Sequence, residues 1–295
     1  MKIGYFLACE EYGPEELLRQ ARMAEEAGFE GLWISDHFHP YPWNAEQGHS
    51  PFVWSVIGAL RQVTSLPMTT AVTFPTTRIH PAIIAQAAAT SAVMLDGRFI
   101  LGVGSGEALN EHILGDAWPR AAVRLEMLEE AIEVIRLLHT GGVRSHEGKH
   151  YQVDNARIWT LPDRPVPIYV SGFGPKSTAL AARVGDGFVC VKPDPGVVQR
   201  FRAAGGGGKP VQGGLKACYA RTEEEGVAIA HRLWANEQLP GELAQVLPTS
   251  RHIEQVCTMV PAEATRQAMP CGPEVERHLH ALRQYRDAGY DEVYV

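Results

Sequence analysis

Eight short apolar runs, most of them separated by helical patterns, set the narrowest limit on what this chain can fold into. The runs are KIGYFLA (2–8), GLWISD (31–36), MTTAVTF (68–74), RFILGVGSG (98–106), VPIYVSG (166–172), GFVCVK (187–192), VQGGLKACYA (211–220) and DEVYV (291–295). Between the first four lie helical patterns at 14–28, 51–64 and 80–95. The first has Pro14 in its opening turn and Gly28 as its stop. The strongest helix spans 120–140, where Leu125, Leu128, Ile132, Ile135 and Leu138 recur at three- and four-residue steps. Further helices are expected at 175–185, near 196–204, at 222–237 and at 273–289. Consecutive strand–helix units imply parallel strands, and eight of them can close on themselves. An open doubly wound sheet is the rival, but the strand count is eight and no GxGxxG follows the first strand. The expected fold is one (β/α)8 TIM barrel over residues 1–295. It carries insertions after the fourth helix (141–165) and after the seventh (239–270). The final helix is expected to be missing, as in a barrel shortened at its end, because the eighth strand ends the chain. GGGG (205–208) reads as a flexible loop.

Charge and cysteine usage exclude several classes. The net charge is −7 with both signs scattered, which leaves no basic footprint for nucleic acid. No apolar run has bilayer length, and MKIGYFLACEEYG lacks a signal-peptide pattern. Five distant cysteines without a CxxC argue against a disulfide framework and structural zinc. A cytoplasmic protein acting on a small molecule, with no nucleic-acid or membrane partner, is expected.

Candidate chemistry collects where strands end. Asp36 and His37 close the second strand, at the barrel rim where active sites gather. His37 with His39 could be a metal pair, but zinc or iron needs a third ligand and no later strand end offers an obvious one. An imidazole moving protons near neutrality is the stronger reading, and a backbone-satisfied loop histidine is the plain one. In GVGSGEALNE, Gly104, Ser105 and Gly106 let backbone approach a ligand closely. Glu107 then stands at a strand end, either as a working carboxylate or as an acid favoured by a helix N-terminus. In VSGFGPKS, Ser171, Gly172, Phe173 and Gly174 join a strand to a helix start, which suits an anion or is an ordinary turn.

Taken together, SDHFHP, GHSPF, TAVTFPTTRIHPAIIAQAAATSAVMLDGRFILGVGSGEALNE and SGFGP with ARVGDGF resemble the luciferase-like superfamily of flavin and deazaflavin enzymes. Within it they resemble the F420-dependent branch that includes glucose-6-phosphate dehydrogenase. The resemblance covers essentially the whole chain. It implies a (β/α)8 barrel, coenzyme F420, an oxidoreductase reaction on alcohol or carbonyl groups, and a homodimer. It also implies Asp36 in cofactor binding, His37 as base on the substrate hydroxyl, and Trp43 at the reaction centre, here behind two extra residues, Tyr41 and Pro42. Further, it implies a cis peptide at Ala71–Val72 against the deazaflavin, followed by Thr73. Glu107 becomes an acid near the ring with Asn110 after it, and the cofactor's tail phosphate falls at Gly172, Phe173 and Gly174. The sugar-phosphate enzymes place Thr and Lys after strand six, where this chain has Val191, Lys192 and Asp194. GELAQVL lacks a second expected Lys, and Arg266 aligns only loosely with a phosphate-binding Arg. An alcohol or carbonyl compound other than glucose 6-phosphate is therefore expected. The alternatives are an FMN-dependent monooxygenase of the superfamily and a non-catalytic F420-binding protein.

Overall fold

The structure, a computed structural model, describes residues 1–40 and 48–295. Its strands, in chain order, are β1 (Lys2–Leu7), β2 (Leu32–Ile34), β3 (Met68–Thr70), β4 (Phe99–Val103), β5 (Arg144–Glu147), β6 (Gln152–Ala156), β7 (Ile168–Ser171), β8 (Gly187–Val189), β9 (Val211–Gly214) and β10 (Glu292–Tyr294). Eight of them close a parallel barrel in the order β1-β2-β3-β4-β7-β8-β9-β10, with β10 pairing back to β1. The eight expected strands are the eight observed, and β10 completes the ring one residue before Val295.

Two layers of core hold the barrel. Outside it, the helix Ala121–His139 buries Leu128, Ile132, Ile135 and Leu138 of the stripe its periodicity predicts, with Leu125 half-buried at the stripe's start. Phe188 of β8 and Phe201 of the helix Pro195–Phe201 stack at 4.7 Å, both fully buried. Burying each contributes roughly 1.5–3 kcal/mol. Inside the barrel, Trp33 stacks on Tyr294 at 4.7 Å, and Tyr169 and Val189 join them. The buried Gln212 is accommodated there by bonding: its oxygen accepts from Trp33 Nε1 (2.9 Å) and its nitrogen donates to Glu292 (2.8 Å).

The insertions fall where the rhythm broke. Residues 141–165 hold the antiparallel β5–β6 hairpin, and 239–270 hold the short helices Leu243–Val246, Ser250–Cys257 and Ala262–Ala268. The glycine run differs from expectation. Arg202–Gly206 continues the preceding helix as a wide turn, with Gly205 at φ 110°, so the chain stays coiled until Gly206. The Arg202 guanidinium explains this, since it donates to the carbonyls of Gly206 and Lys209. The helix expected over 51–64 is narrower, Val53–Leu60. Among the described residues, no helix is long and apolar enough to cross a membrane.

Candidate active site

The C-terminal ends of the barrel strands carry the polar groups. Beyond β2, Asp36 is buried at 1% exposure and both its oxygens are engaged. Thr73 Oγ1 donates to Oδ2 and Arg78 Nη2 donates to Oδ1, each at 2.8 Å. Arg78 also donates from Nε to Glu111 Oε1 (3.3 Å) and from its backbone N–H to Glu111 Oε2 (2.8 Å). Burial works against the Arg78 charge, but Asp36 and Glu111 outweigh it and hold the guanidinium above its ordinary value. Burial likewise lifts the Glu111 carboxyl, against the pull of Arg78. A planar guanidinium holds two carboxylates at fixed angles from different nitrogens, a fork geometry a lysine lacks.

β3 stops at Thr70, and the Ala71–Val72 peptide is cis, as the resemblance implies. Pairing with β4 then resumes: Thr73 N–H donates to the Gly102 carbonyl (2.8 Å) and Gly104 N–H donates to the Thr73 carbonyl (3.0 Å). A Cβ on Gly104 would lie 2.8 Å from Val72 Cγ2, so glycine lets the two segments approach. Ala71 and Val72 pack on the aromatic cluster inside the barrel.

Beyond β4, Ser105 and Gly106 lead to Glu107, which opens the short helix Ala108–Glu111. Burial pushes the Glu107 carboxyl above the usual carboxylate range. His37 pulls the other way, Glu237 and Glu10 push further up, and Lys216 offsets them. The imidazole of one strand tip thus lies within electrostatic reach of the carboxyl of another. Asn110, fully buried, fastens the two segments: its Oδ1 accepts from the N–H groups of Phe38 (2.9 Å) and His39 (3.1 Å), and its Nδ2 reaches Glu107 Oε2 at 3.5 Å. Ser50 donates to the His37 carbonyl (2.7 Å). His39 turns its Nδ1 to the Leu109 carbonyl (2.8 Å) and stacks on His112.

Beyond β7, Ser171 and the turn Gly172–Phe173–Gly174 meet the helix Pro175–Val184. Gly172 N–H donates to the Val189 carbonyl, while the N–H groups of Phe173 and Gly174 both face Ser177 Oγ at 3.2 Å. Those last two donors hold only a side-chain oxygen at a helix start, where an anion fits.

The structure thus gathers Asp36 with Thr73, the backbone after His37 with Asn110 and Glu107, and Val72 with Gly104. Trp43 lies outside the described residues. Arg78, Glu111, Glu10, Lys216 and Glu237 went unread in the sequence. Arg78 and Glu111 stand inside the quoted motifs, an arginine past strand three and a second glutamate one turn after Glu107, but nothing local marks the two as partners.

A parallel eight-stranded barrel with its titratable groups on the strand-end rim defines a (β/α)8 protein with an enzyme-type site. More narrowly, the chain belongs to the luciferase-like family: the family profile described as "Luciferase-like monooxygenase" matches residues 1–292. The F420-dependent glucose-6-phosphate dehydrogenase of Amycolatopsis mediterranei is 33% identical over 99% of this chain and 91% of its own. That of Kribbella flavida is 34% identical over 100% of this chain and 92% of its own. Among solved structures, an F420-dependent secondary alcohol dehydrogenase in complex with an F420-acetone adduct superposes with a TM-score of 0.93 at 29% identity, covering 99% of this chain and 92% of that one. The coenzyme F420-dependent tetrahydromethanopterin reductase of Methanopyrus kandleri shares the fold, with a TM-score of 0.75 at 20% identity over 100% of this chain and 92% of its own.

Proposed function

We propose that the chain is a coenzyme F420-dependent oxidoreductase acting on an alcohol or its carbonyl counterpart. The observation that carries this is that Asn110 joins the backbone just after His37 to the Glu107 carboxyl, within reach of the His37 charge, in a chain whose relatives bear F420 in their names. The residues fit the cofactor. Ala71 and Val72 pack on the barrel's aromatic interior, Thr73 holds Asp36 beside them, Gly104–Gly106 bring backbone close, and Phe173 and Gly174 offer donors for a phosphate. Bound F420 supplies a two-electron acceptor for hydride, without activating oxygen as a flavin does.

The protein's own work is positioning and proton transfer. As the carbinol C–H leaves as hydride, His37 takes the hydroxyl proton and the C=O bond forms. Glu107, lifted by burial, is protonated at higher pH than an ordinary carboxyl and can supply a proton at the reduced ring. Asp36, tied to Thr73 and Arg78, fixes the strand tip from which His37 projects. Trp43 is proposed at the same centre by resemblance alone. A homodimer is proposed through the apolar groove of about 290 Å³ between two helices, where Phe52 and Ile83 are exposed. Light scattering of the eluted protein checks that state.

The test is a fluorescence titration with F420 and with FMN, then an alcohol screen read at the deazaflavin absorbance. His37→Ala should keep F420 affinity and lose about 10²–10⁴ in kcat. FMN binding without F420 binding would support the monooxygenase reading instead. F420 binding with no turnover across the screen would support the non-catalytic one.

A further inference from the structure

We infer that the site takes an uncharged alcohol and its carbonyl product, and turns away substrates that carry a phosphate or carboxylate. This rests on the oxidoreductase reading above and narrows its substrate.

The argument is the charge laid around Glu107. Glu10, just past β1, is 2% exposed and accepts the Ser35 hydroxyl. Glu237 lies close enough to push the Glu107 carboxyl up, as Glu10 does. Lys216, just past β9, is the cation that offsets them, but it is already engaged. Its ammonium stands 3.1 Å from Glu237 and 4.3 Å from the centroid of the Trp234 ring. Glu11 adds to this side: burial, with Glu10 beside it, lifts its carboxyl to about 7, so it ionises near neutrality. Two cations farther out are also engaged, while Arg232, which pulls the Glu11 carboxyl down, lies exposed on the helix Glu223–Trp234. Arg266 sits 2.6 Å from Glu223 and 3.2 Å from Glu263, and Arg277 sits 2.6 Å from the same Glu223. Lys192 is exposed, and Asp194 follows two residues later.

A phosphate or carboxylate leaving water needs charge-assisted donors in exchange. Here it would meet carboxylates, at an effective dielectric well below that of water. A neutral carbinol asks for less: an acceptor for its O–H and apolar surface for its carbon. The glucose-6-phosphate dehydrogenases that share a third of this sequence carry a name whose substrate is dianionic. The groups around Glu107 oppose that substrate.

The decisive pair is butan-2-ol and 3-hydroxybutyrate, which share a carbon skeleton and differ by one carboxylate, with glucose 6-phosphate alongside. With F420-loaded enzyme, kcat/KM should be on the order of 100-fold higher for butan-2-ol, and the gap should shrink in high salt. Saturation-transfer NMR on the same protein should detect butan-2-ol and miss 3-hydroxybutyrate at equal concentration. Glu237→Gln releases Lys216 and should narrow the gap about tenfold, while Lys216→Met should widen it. Equal or better turnover of either anion overturns the inference. So does a gap that neither variant moves, or F420-bound enzyme that turns over no neutral alcohol. Failure to bind F420, read before any substrate is added, would remove the cofactor reading and this inference with it.

Discussion

Arg78 and Asp36 meet at 2.8 Å with side chains only 6% and 1% exposed, and the same guanidinium reaches Glu111 at 3.3 Å. The bridge joins the segment after β3 to the tip of β2 and to the short helix after β4. It therefore ties together the backbone that presents His37 and the backbone that presents Glu107.

Breaking that bridge should cost stability steeply, because it strands two buried carboxylates. Arg78→Met should lose about 3–5 kcal/mol in urea melts followed by tryptophan fluorescence. Arg78→Lys should recover only part of this, since one ammonium cannot serve Asp36, its backbone carbonyl and Glu111 together. A Met variant as stable as the parent would show that the bridge contributes nothing net.

Asn110 is the second tie. Its Oδ1 serves the two N–H groups that follow His37, so Asn110→Ala leaves them, part-buried, without that acceptor, at about 1 kcal/mol each. With His37 less firmly held, kcat should fall roughly tenfold to a hundredfold while F420 affinity changes little. Asn110→Asp keeps the acceptor but places a carboxylate beside Glu107, which should raise the Glu107 carboxyl further. Stability and the pH–rate profile then separate the two roles: Asp should rescue the first and displace the second. An unaltered profile in the Asp variant would mean Glu107 does not set it.

Much of this architecture was readable in advance. β-branched and apolar runs alternating with 3.6-residue stripes dictate strand–helix units, and eight of them dictate closure. Strand-end positions then nominate Asp36, His37 and Glu107 without any coordinates. The contacts between tips were not readable. Arg78 lies 42 residues from Asp36 and 33 from Glu111, and nothing local in TAVTFPTTR announces an ion pair at that distance. The resemblance puts Asn110 beside the cofactor, but the backbone N–H groups its amide oxygen accepts from were not readable; a single sequence cannot say which neighbour satisfies a buried amide. The coil through Gly206 was missed for a similar reason: glycines signal a break, and the Arg202 bonds that override it come from side-chain reach.

Glu11 supplies a pH prediction with a defined sign. Its folded carboxyl titrates near 7 against an ordinary 4.5, chiefly because it is buried and has Glu10 beside it. A group raised on folding binds its proton more tightly in the native state, so its contribution is fully present below about 4.5 and is lost as pH rises through about 7. Stability should therefore decline from pH 5 to pH 8 in part through this residue. Glu11→Gln should flatten that decline and leave the variant the more stable of the two at pH 8. Thermal melts at matched ionic strength check it, and parallel slopes for the two proteins would show that Glu11 is not the group responsible.

The turn after β7 yields a prediction that separates the two ends of the cofactor. A Cβ on Gly172 would lie 2.9 Å from the Ser177 carbonyl carbon and 3.0 Å from Ser177 Oγ. Gly172→Ala must therefore shift the turn against the start of the helix Pro175–Val184, misaiming the N–H groups of Phe173 and Gly174. If those donors hold the tail phosphate, F420 affinity should fall about tenfold or more. The surroundings proposed for the ring, at Ala71, Val72 and Glu107, follow other strands and stay intact, so affinity for a deazariboflavin lacking the phosphate tail should change less than twofold. Fluorescence titration with the two ligands measures both. Equal losses for the two would mean the turn supports the whole pocket, and no loss for F420 would place its phosphate elsewhere.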